Sequence, residues 1–303
     1  MVTQAFLGFG EVLLDIILKG NTVYKVQPGG SVLNALVSLS RSNIAVQLIS
    51  EIGDDPAGNL ISHFLQKEKI DETYLVRSKA CQTALALAAL NENGDATYSF
   101  YKNYPAVRFE GLTIDFRSYK AFLFGSTLAL EPNVHSILSK LVLEAHQNQT
   151  MVMYDPNIRN TFDKTDLKAL ERLTFNFANA DIIRGSKEDF DQVFGTSDIQ
   201  TIFQLIQPSH CQLLIMTAAS EDIHIMNHQH HITLSVKQIP VINTIGAGDA
   251  FNAGVLTFLL RNSLHKSDLS NLNSDELALV GDFAQNFSSA VCATEESYIP
   301  LPD

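Results

Sequence analysis

Short apolar runs alternate along this sequence with stretches whose apolar residues recur at helical spacing. The runs predict strands that are covered on both faces: AVQLIS (45–50), AFLFG (121–125), TMVMYD (150–155), ADIIRG (180–185) and CQLLIMT (211–217). Helical spacing is found at 31–42, 133–147 and 165–178. This order predicts a doubly wound α/β fold, in which helices cover a mostly parallel sheet.

Two segments interrupt this alternation. Residues 11–27 show an extended pattern around a turn at Gly20, and residues 83–104 hold two extended runs around NENGD, a strong hairpin signal. Together they predict a small separate sheet built from two insertions. A later hairpin is predicted at 223–236 and a last helix at about 274–293. Because no repeat or linker interrupts the chain, we expect one domain over residues 1–303.

The charge balance limits the partners of the chain. Lys and Arg number 21 and Asp and Glu number 33, a formal net charge of -12. An acidic chain repels nucleic-acid phosphates and anionic lipids, so we expect neither a nucleic-acid nor a membrane partner. The apolar start lacks the basic residues of a signal peptide. The widely spaced Cys81, Cys211 and Cys292 predict small core side chains in a reducing cytoplasm.

The stretch NTIGAGDAFNAG (243–254) predicts a helix start that can hold an anion. A helix that begins near Gly248 exposes unpaired N–H groups and partial positive charge, and small residues let a ligand oxygen come close. Asp249 would repel a phosphate but suits a base that deprotonates an attacking hydroxyl. Taken alone, Asp249 is explained more simply as a first-turn acid that favours the helix.

Other phosphate and nucleotide motifs do not match. The chain has no GxxxxGK[ST] loop, and GFGEVL carries Leu13 where a dinucleotide fingerprint needs a third glycine. Neither an HRD nor a DFG motif of the protein kinases occurs.

The longer motifs resemble those of the PfkB-type carbohydrate kinases, in the ribokinase-like superfamily. NTIGAGDAFNAG resembles their C-terminal signature, PGGSVLNALVSLSRSNIAVQLISEIGDDPAGNLI (28–61) their N-terminal signature, and YDPNIR (154–159) the fructokinase and 2-keto-3-deoxygluconate kinase branch. The resemblance implies a three-layer α/β/α fold with a small β lid over a sugar. It also implies ATP, Mg²⁺ and a sugar hydroxyl as acceptor, and it suggests a homodimer through the lid.

The resemblance also implies roles for individual residues. It makes Asp249 the catalytic base, and the backbone of Gly246, Ala247 and Gly248 the group that stabilises the transferred phosphoryl. The positions that match substrate-binding residues are Asp15, Gly29, Gly30, Asn34, Lys102, Asn157 and Arg159. Independently of the resemblance, Asn34 is a polar residue on a mostly apolar helix, where its amide needs a partner. Lys102 and Arg159 can equally be solvated surface residues.

On the nucleotide side, the resemblance points to Ser186, Glu188, Thr217, Thr244 and Asn286. Glu188 is expected to organise Mg²⁺ through water, with Asp189 as its rival. Separately, the residues His224, His228, His230 and His231 invite a metal assignment, but an exposed polar hairpin explains them better.

Two departures from the family pattern affect the nucleotide side. Asn243 stands where family members usually have Asp, so activation by K⁺ becomes doubtful. The loop TAASED (217–222) has Ala219 and Asp222 where glycines are usual. Asp222 would repel ATP if it faced the site. These changes predict weak or altered ATP binding.

Two main functions follow from these observations. The first is an ATP-dependent kinase for fructose or a related keto sugar. The second is a sugar-binding or regulatory protein descended from such kinases. A nucleoside kinase is a third, less favoured alternative, because DPNIR points to the other branch.

Overall fold

The computed structural model describes residues 5–90, 96–158 and 163–301. Its strands are β1 (Ala5–Phe9), β2 (Leu13–Lys19), β3 (Thr22–Gly29), β4 (Ala45–Gly53), β5 (Leu75–Ser78), β6 (Gln82–Leu90), β7 (Ala96–Asn103), β8 (Tyr119–Gly125), β9 (Met151–Asp155), β10 (Ile182–Ser186), β11 (Leu213–Thr217), β12 (Ile223–Met226) and β13 (His231–Leu234). Its helices are α1 (Ser31–Arg41), α2 (Pro56–Lys67), α3 (Pro132–Gln147), α4 (Leu167–Ala178), α5 (Lys187–Phe194), α6 (Ile199–Leu205), α7 (Ala247–Arg261) and α8 (Ser274–Cys292).

The central sheet has nine strands in the order β13-β12-β11-β10-β9-β8-β1-β4-β5. The pairs from β11 to β5 are parallel, and β12 and β13 add an antiparallel edge. Parallel neighbours place all their carboxyl ends at one edge of the sheet. That edge is where α/β folds of this kind bind ligands.

Alternate residues of the strands fill two separate cores. In β1, Phe6 packs into a core with α1, α2, α7 and α8, and Leu7 packs on the opposite face with α3, α4, α5 and α6. Strands that are apolar on both faces need helices on both sides, since either face left open would expose apolar surface to water. The predicted α/β class and mostly parallel sheet are therefore confirmed.

A second sheet has four strands in the order β3-β2-β6-β7. Its strands come from the two segments predicted to form a small sheet, and β2 and β6 join them as parallel neighbours. We call this sheet the lid. The NENGD turn itself (91–95) lies outside the described residues.

Some boundaries differ from the predicted ones for local reasons. The helix predicted at 165–178 begins at Leu167, because the Asp166 side chain caps it by accepting the N–H groups of Lys168 and Ala169. Among the described residues, no helix is long and apolar enough to span a bilayer. Cys81, Cys211 and Cys292 are free thiols, the first two of them buried.

Asp55 connects the body of the protein to the lid. Its carboxylate caps α2 through the N–H of Gly58 at 2.8 Å, and it also accepts the N–H of Thr83, on β6, at 2.8 Å. Burial tends to raise the pKa of Asp55, but these hydrogen bonds outweigh that effect and hold its pKa below the usual value. The charged form of Asp55 therefore stabilises the folded state.

Replacing Asp55 with alanine is expected to lower the free energy of unfolding at pH 7 by about 1–2 kcal/mol, as for other N-cap losses. Because the folded-state pKa is lowered, this contribution is present above the ordinary Asp pKa of about 4 and is lost as the pH falls through the folded-state pKa. Urea unfolding at a series of pH values from 7 to 3 measures the difference in the free energy of unfolding between the Asp55→Ala variant and the unmodified protein. The control is Asp54→Ala, at the exposed neighbouring position. If the difference in the free energy of unfolding caused by Asp55→Ala stays constant with pH, the proposed role of the charged carboxylate is wrong.

Candidate active site

A cavity of about 860 Å³ opens at the carboxyl edge of the central sheet, where the lid faces α7. Residues from both sheets and from the first turns of α5 and α7 line it. The residues predicted from the sequence that the structure brings together here are Asp15, Gly30, Asn34, Asn157, Ser186, Glu188, Thr244, Gly246, Gly248 and Asp249. The predicted residues that do not line the cavity are Gly29, Lys102, Thr217, Ala247 and Asn286, and Arg159 lies outside the described residues.

A buried hydrogen bond joins the two signature motifs. Asn34 Nδ2 donates to Asp249 Oδ2 at 2.8 Å across 215 positions of sequence. Both residues are buried, with 6% of Asn34 and 9% of Asp249 exposed. Asn34 Oδ1 is also buried and has no hydrogen-bond partner among the described residues. Since an unpaired buried amide oxygen is costly, this atom is suited to a ligand hydroxyl.

The bend before α7 requires glycine at position 246. Gly246 has φ of 85°, and a Cβ there would lie 2.0 Å from the carbonyl oxygen of Ser297. α7 then runs for 15 residues, so its first turn carries the partial positive charge of a long helix. Within the bend, the Ala247 N–H donates to Thr244 O at 3.2 Å. The N–H of Gly248 has no partner inside the helix, as at any helix start, and Gly248 lines the cavity.

Arg184 is a site residue that the sequence analysis missed. Its guanidinium donates through Nη1 to Asp155 Oδ2 at 3.1 Å and through Nη2 to Thr217 Oγ1 at 2.5 Å. A Cβ at position 248 would lie 2.5 Å from Nη1, so the cation lies directly against Gly248. Arg184 therefore places a guanidinium, paired with the Asp155 carboxylate, next to the start of α7. The only local signal was its position at the end of a predicted strand.

Asp189 and Glu188 are adjacent but have different environments. Asp189 is buried and forms a capping box with Ser186, and its Oδ1 accepts the Ile158 N–H at 2.7 Å. Burial, together with the neighbouring Asp155, raises the pKa of Asp189. Glu188 is exposed on the first turn of α5 and lines the cavity. Asp189 also lines the cavity, but its carboxylate is already bonded to backbone N–H groups, whereas Glu188 is exposed.

The lid approaches the cavity through Asp15, on β2. A Cβ on Gly29 would lie 2.0 Å from Asp15 Oδ2, so glycine at 29 makes room for this carboxylate. Gly30 has φ of 140° and lies against the backbone of Glu11. Glycine is therefore required at position 30 by the backbone, whereas glycine at 29 leaves the Asp15 carboxylate in its present position.

Lys102 is placed differently from the substrate-binding role that its position suggested. Its Nζ forms a 2.6 Å ion pair with Glu11 Oε2, and the Tyr104 hydroxyl donates to the other oxygen of Glu11 at 2.9 Å. Phe100, on the same strand, lines the cavity instead. In this structure Lys102 therefore links the lid strand β7 to Glu11 next to the site.

On the nucleotide side, Ser186, Glu188 and Thr244 line the cavity, whereas Thr217 and Asn286 do not. Thr217 is bonded to Arg184, and Asn286 is exposed on α8, where it accepts from Lys237 Nζ at 2.8 Å. Ala219 has φ of 36°, a left-handed conformation in which glycine is favoured, so the loop keeps a glycine-type backbone with alanine in place. Asn243 Oδ1 accepts the Ile245 N–H at 3.0 Å and so supports the bend before α7.

The histidine-rich hairpin of β12 and β13 brings two of its four histidines together. His224 and His231 are adjacent, with 3.3 Å between Nδ1 and Nε2, and His228 contacts the Cys211 carbonyl oxygen at 3.1 Å. Among the described residues, the cluster of three ligand-type side chains is elsewhere, at His146, Asp181 and His210.

The chain is similar along nearly its whole length to known kinases. It is 27% identical over 308 residues to probable fructokinase-2 of Arabidopsis thaliana, covering 97% of this chain and 91% of the relative. The fructokinase of Xylella fastidiosa with bound ATP superposes with a TM-score of 0.88 at 20% identity, covering 98% of this chain and 95% of that one. The fructokinase of Vibrio cholerae O395, in its form with fructose, ADP and calcium ion bound, gives 0.81 at 20% identity, covering 100% and 97%.

These structural likenesses establish the fold, which is the ribokinase-like one expected from the motifs. The family model that matches the chain is that of the pfkB family carbohydrate kinases, and it matches residues 14–303. That range includes both halves of the buried Asn34–Asp249 pair and the bend at Gly246. The chain therefore belongs to the pfkB family of carbohydrate kinases, enzymes that transfer a phosphoryl group to a sugar hydroxyl.

Proposed function

We propose that this carbohydrate kinase uses ATP to phosphorylate fructose or a related keto sugar. The observation that carries the proposal is the buried Asn34–Asp249 pair, which lies in the cavity at the start of α7. An acid at a helix start next to an anion site has no use in holding phosphate, but it can take a proton from a sugar hydroxyl. The similarity to fructokinases supports the choice of sugar.

Asp249 is the proposed base. A primary hydroxyl of the sugar would lose its proton to the Asp249 carboxylate as its oxygen attacks the γ-phosphorus in line. The new O–P bond forms as the bond between the γ-phosphorus and the β,γ-bridging oxygen breaks, and ADP leaves with that electron pair. The hydrogen bond from Asn34 orients the carboxylate, as a positioned base requires.

The start of α7 is the proposed stabiliser of the transferred phosphoryl. Gly246, Ala247 and Gly248 form the bend, and Arg184 lies against Gly248. Because the Ala247 N–H already donates to Thr244 O, we assign the main backbone contact to the Gly248 N–H. Backbone dipoles and a guanidinium held in place before the reaction stabilise charge without reorganising.

The sugar is proposed to lie between the lid and α1. Asp15, Asn157 and the unpartnered Asn34 Oδ1 present short polar side chains to this part of the cavity, which suits directional bonds to hydroxyls. Gly29 and Gly30 let the backbone approach closely. The lid then excludes water, which would otherwise compete for the γ-phosphate.

The side chains on the nucleotide side fit Mg²⁺. Hard cations prefer oxygen ligands, and the carboxylate of Glu188 lines the cavity on an exposed helical turn. We propose that Glu188 holds the ion through water, while Ser186 and Thr244 lie next to the nucleotide. When bound with ATP, Mg²⁺ neutralises charge that develops on the phosphates.

A substrate panel tests the proposal. We expect ATP- and Mg²⁺-dependent phosphorylation to be fastest, by kcat/KM, with fructose or another keto sugar, because the cavity presents hydroxyl-binding side chains. The panel includes fructose, 2-keto-3-deoxygluconate, ribose and adenosine, with release of ADP and ³¹P NMR of the product as readouts. Preference for adenosine would favour the nucleoside kinase, and it would contradict the assignment to a keto sugar.

The rival function is a sugar-binding or regulatory protein with weakened catalysis, and it is favoured by the substitutions on the nucleotide side, Ala219, Asp222 and Asn243. Calorimetry with fructose and with a non-hydrolysable ATP analogue separates the two. Binding of both ligands supports the kinase. Binding of fructose with no detectable nucleotide binding, together with no turnover, would establish the rival.

Two further predictions remain from the sequence. A homodimer through the lid is supported by exposed apolar side chains on its strands, among them Val23, Tyr24 and Tyr101, each more than half exposed. Location in the cytoplasm also stays a prediction.

A further inference from the structure

Three metal-ligand side chains meet at the edge of the sheet opposite the active site. His146 lies at the end of α3, Asp181 directly before β10, and His210 in the loop before β11. One ligand atom from each lies within 4.8 Å of the others. His146 Nδ1 is 3.9 Å from Asp181 Oδ2. Two ligands of a tetrahedral zinc ion are about 3.3 Å apart. The rings of His146 and His210 are stacked, with 4.3 Å between their centroids, so the exposed His210 must rotate before both imidazoles can direct a nitrogen at one ion.

Hydrogen bonds to the backbone orient two of these ligands. His146 Nε2 is 2.8 Å from the Asn179 carbonyl oxygen. A proton on Nε2 completes that bond and leaves the lone pair of Nδ1 directed at the cluster. Asp181 is 1% exposed, and its Oδ2 accepts the Val152 N–H at 2.8 Å. Partners of this kind, which fix the tautomer of a histidine and the rotamer of a carboxylate, are typical of protein metal sites.

The cluster already holds a cationic group. Lys266, at the start of a short 3-10 helix after α7, places Nζ 3.2 Å from Asp181 Oδ1 and 3.0 Å from His146 Nδ1. A buried carboxylate needs such a charge. Lys266 also lines a second cavity, of about 510 Å³, on the same edge of the sheet. Its flexible side chain therefore has room to leave the cluster.

We propose that His146, Asp181 and His210 form a binding site for a divalent transition-metal ion, with Zn²⁺ as the best match, which competes with the ammonium group of Lys266. Two imidazoles and one carboxylate are a ligand set that zinc accepts, with a fourth position left for water. The site joins the ends of α3, β10 and β11. A bound ion would therefore stabilise the folded state, by an amount that grows with the logarithm of the ion concentration divided by Kd.

The exposed hairpin pair His224 and His231 is the competing place for an added metal ion. Its two imidazoles are near each other but lack a third ligand-type side chain in the described residues. An experiment must therefore distinguish zinc binding at the His146, Asp181 and His210 cluster from zinc binding at the hairpin. Single alanine variants do so, because His210 belongs to the cluster and His224 to the hairpin.

The test is calorimetric titration of the intact protein with ZnCl₂, together with thermal unfolding with and without zinc. We expect one Zn²⁺ per chain and a Tm that rises with zinc concentration. His210→Ala, at an exposed position, should weaken binding by at least about tenfold, because even the loss of an outer-shell partner costs that much. His224→Ala is the matched control and should bind as the unmodified protein does.

Lys266→Met tests the competition. Removing the ammonium leaves Asp181 without its cation, so this variant should be less stable without metal, bind Zn²⁺ more tightly and gain more in Tm from it than the unmodified protein. The proposal is overturned if His210→Ala leaves zinc binding intact, or if His224→Ala abolishes it. If zinc does not raise the Tm of the Lys266→Met variant, the proposed competition between zinc and the Lys266 ammonium group is overturned.

Discussion

Replacing Asp249 with asparagine is expected to lower kcat for sugar phosphorylation by about 10³-fold, the range typical of a lost general base. Asparagine has nearly the same size and can still accept the hydrogen bond from Asn34 Nδ2. Sugar binding and the fold should therefore persist, and the effect should appear in kcat more than in KM. Steady-state rates with saturating ATP and the preferred sugar measure it.

Asp275→Asn is the matched control for this experiment. Asp275 is a first-turn acid of α8, as Asp249 is of α7, but it is exposed and remote from the cavity. If Asp249 serves only to favour its helix, the two substitutions should have similar, small effects. Equal kcat values for the Asp249 variant and the unmodified enzyme would remove the proposed base.

Replacing Arg184 with methionine is expected to destabilise the protein by about 3 kcal/mol, the lower end for breaking a buried ion pair. Asp155 is 4% exposed and would lose its charged partner, although Asn252 Nδ2 would still donate to it at 2.6 Å. For a chain of this size the Tm should fall by roughly 5 °C. Because the guanidinium lies against Gly248, kcat should also fall, by about 10²-fold.

Two variants separate charge from general loss of structure. Arg184→Lys keeps the charge but cannot hold Asp155 and Thr217 with one planar group, so its kcat should be intermediate. Arg117→Met removes an arginine whose ion pair with Asp115 is exposed and should change Tm little. An Arg184→Met enzyme with normal kcat would show that the cation has no part in phosphoryl transfer.

Much of the fold was predictable because its signals are local. Apolar runs such as AFLFG reveal a strand covered on both faces, and helical spacing reveals α1 and α3 almost to the residue. Because Asp166 caps α4, this helix begins two positions later than predicted. At that scale, side-chain hydrogen bonds decide where a helix begins. The bend at Gly246 was also visible, since few sequences combine small residues with an acid at a helix start.

The candidate site was predictable in part. Asn34 and Asp249 were each singled out, but nothing in the sequence showed that one would donate to the other. Lys102 was assigned to the substrate because its position resembles one at which the family often carries a basic residue, and its pairing with Glu11 depends on how β7 lies against the chain after β1. Arg184 was missed because its partners, Asp155 and Thr217, are distant in sequence.

By itself, the sequence determined much of the succession of strands and helices, although not α2, α5, α6 and β5. It also determined the acid and glycines at the start of α7 and the residues able to form the lid. These depend on side-chain size, backbone freedom and spacing within a few positions. Only the tertiary structure decided that Asn34 meets Asp249, that Arg184 lies against Gly248, and that Lys266 reaches Asp181 at the opposite edge. Such contacts depend on strand order and helix packing, since each brings together groups that local spacing leaves far apart.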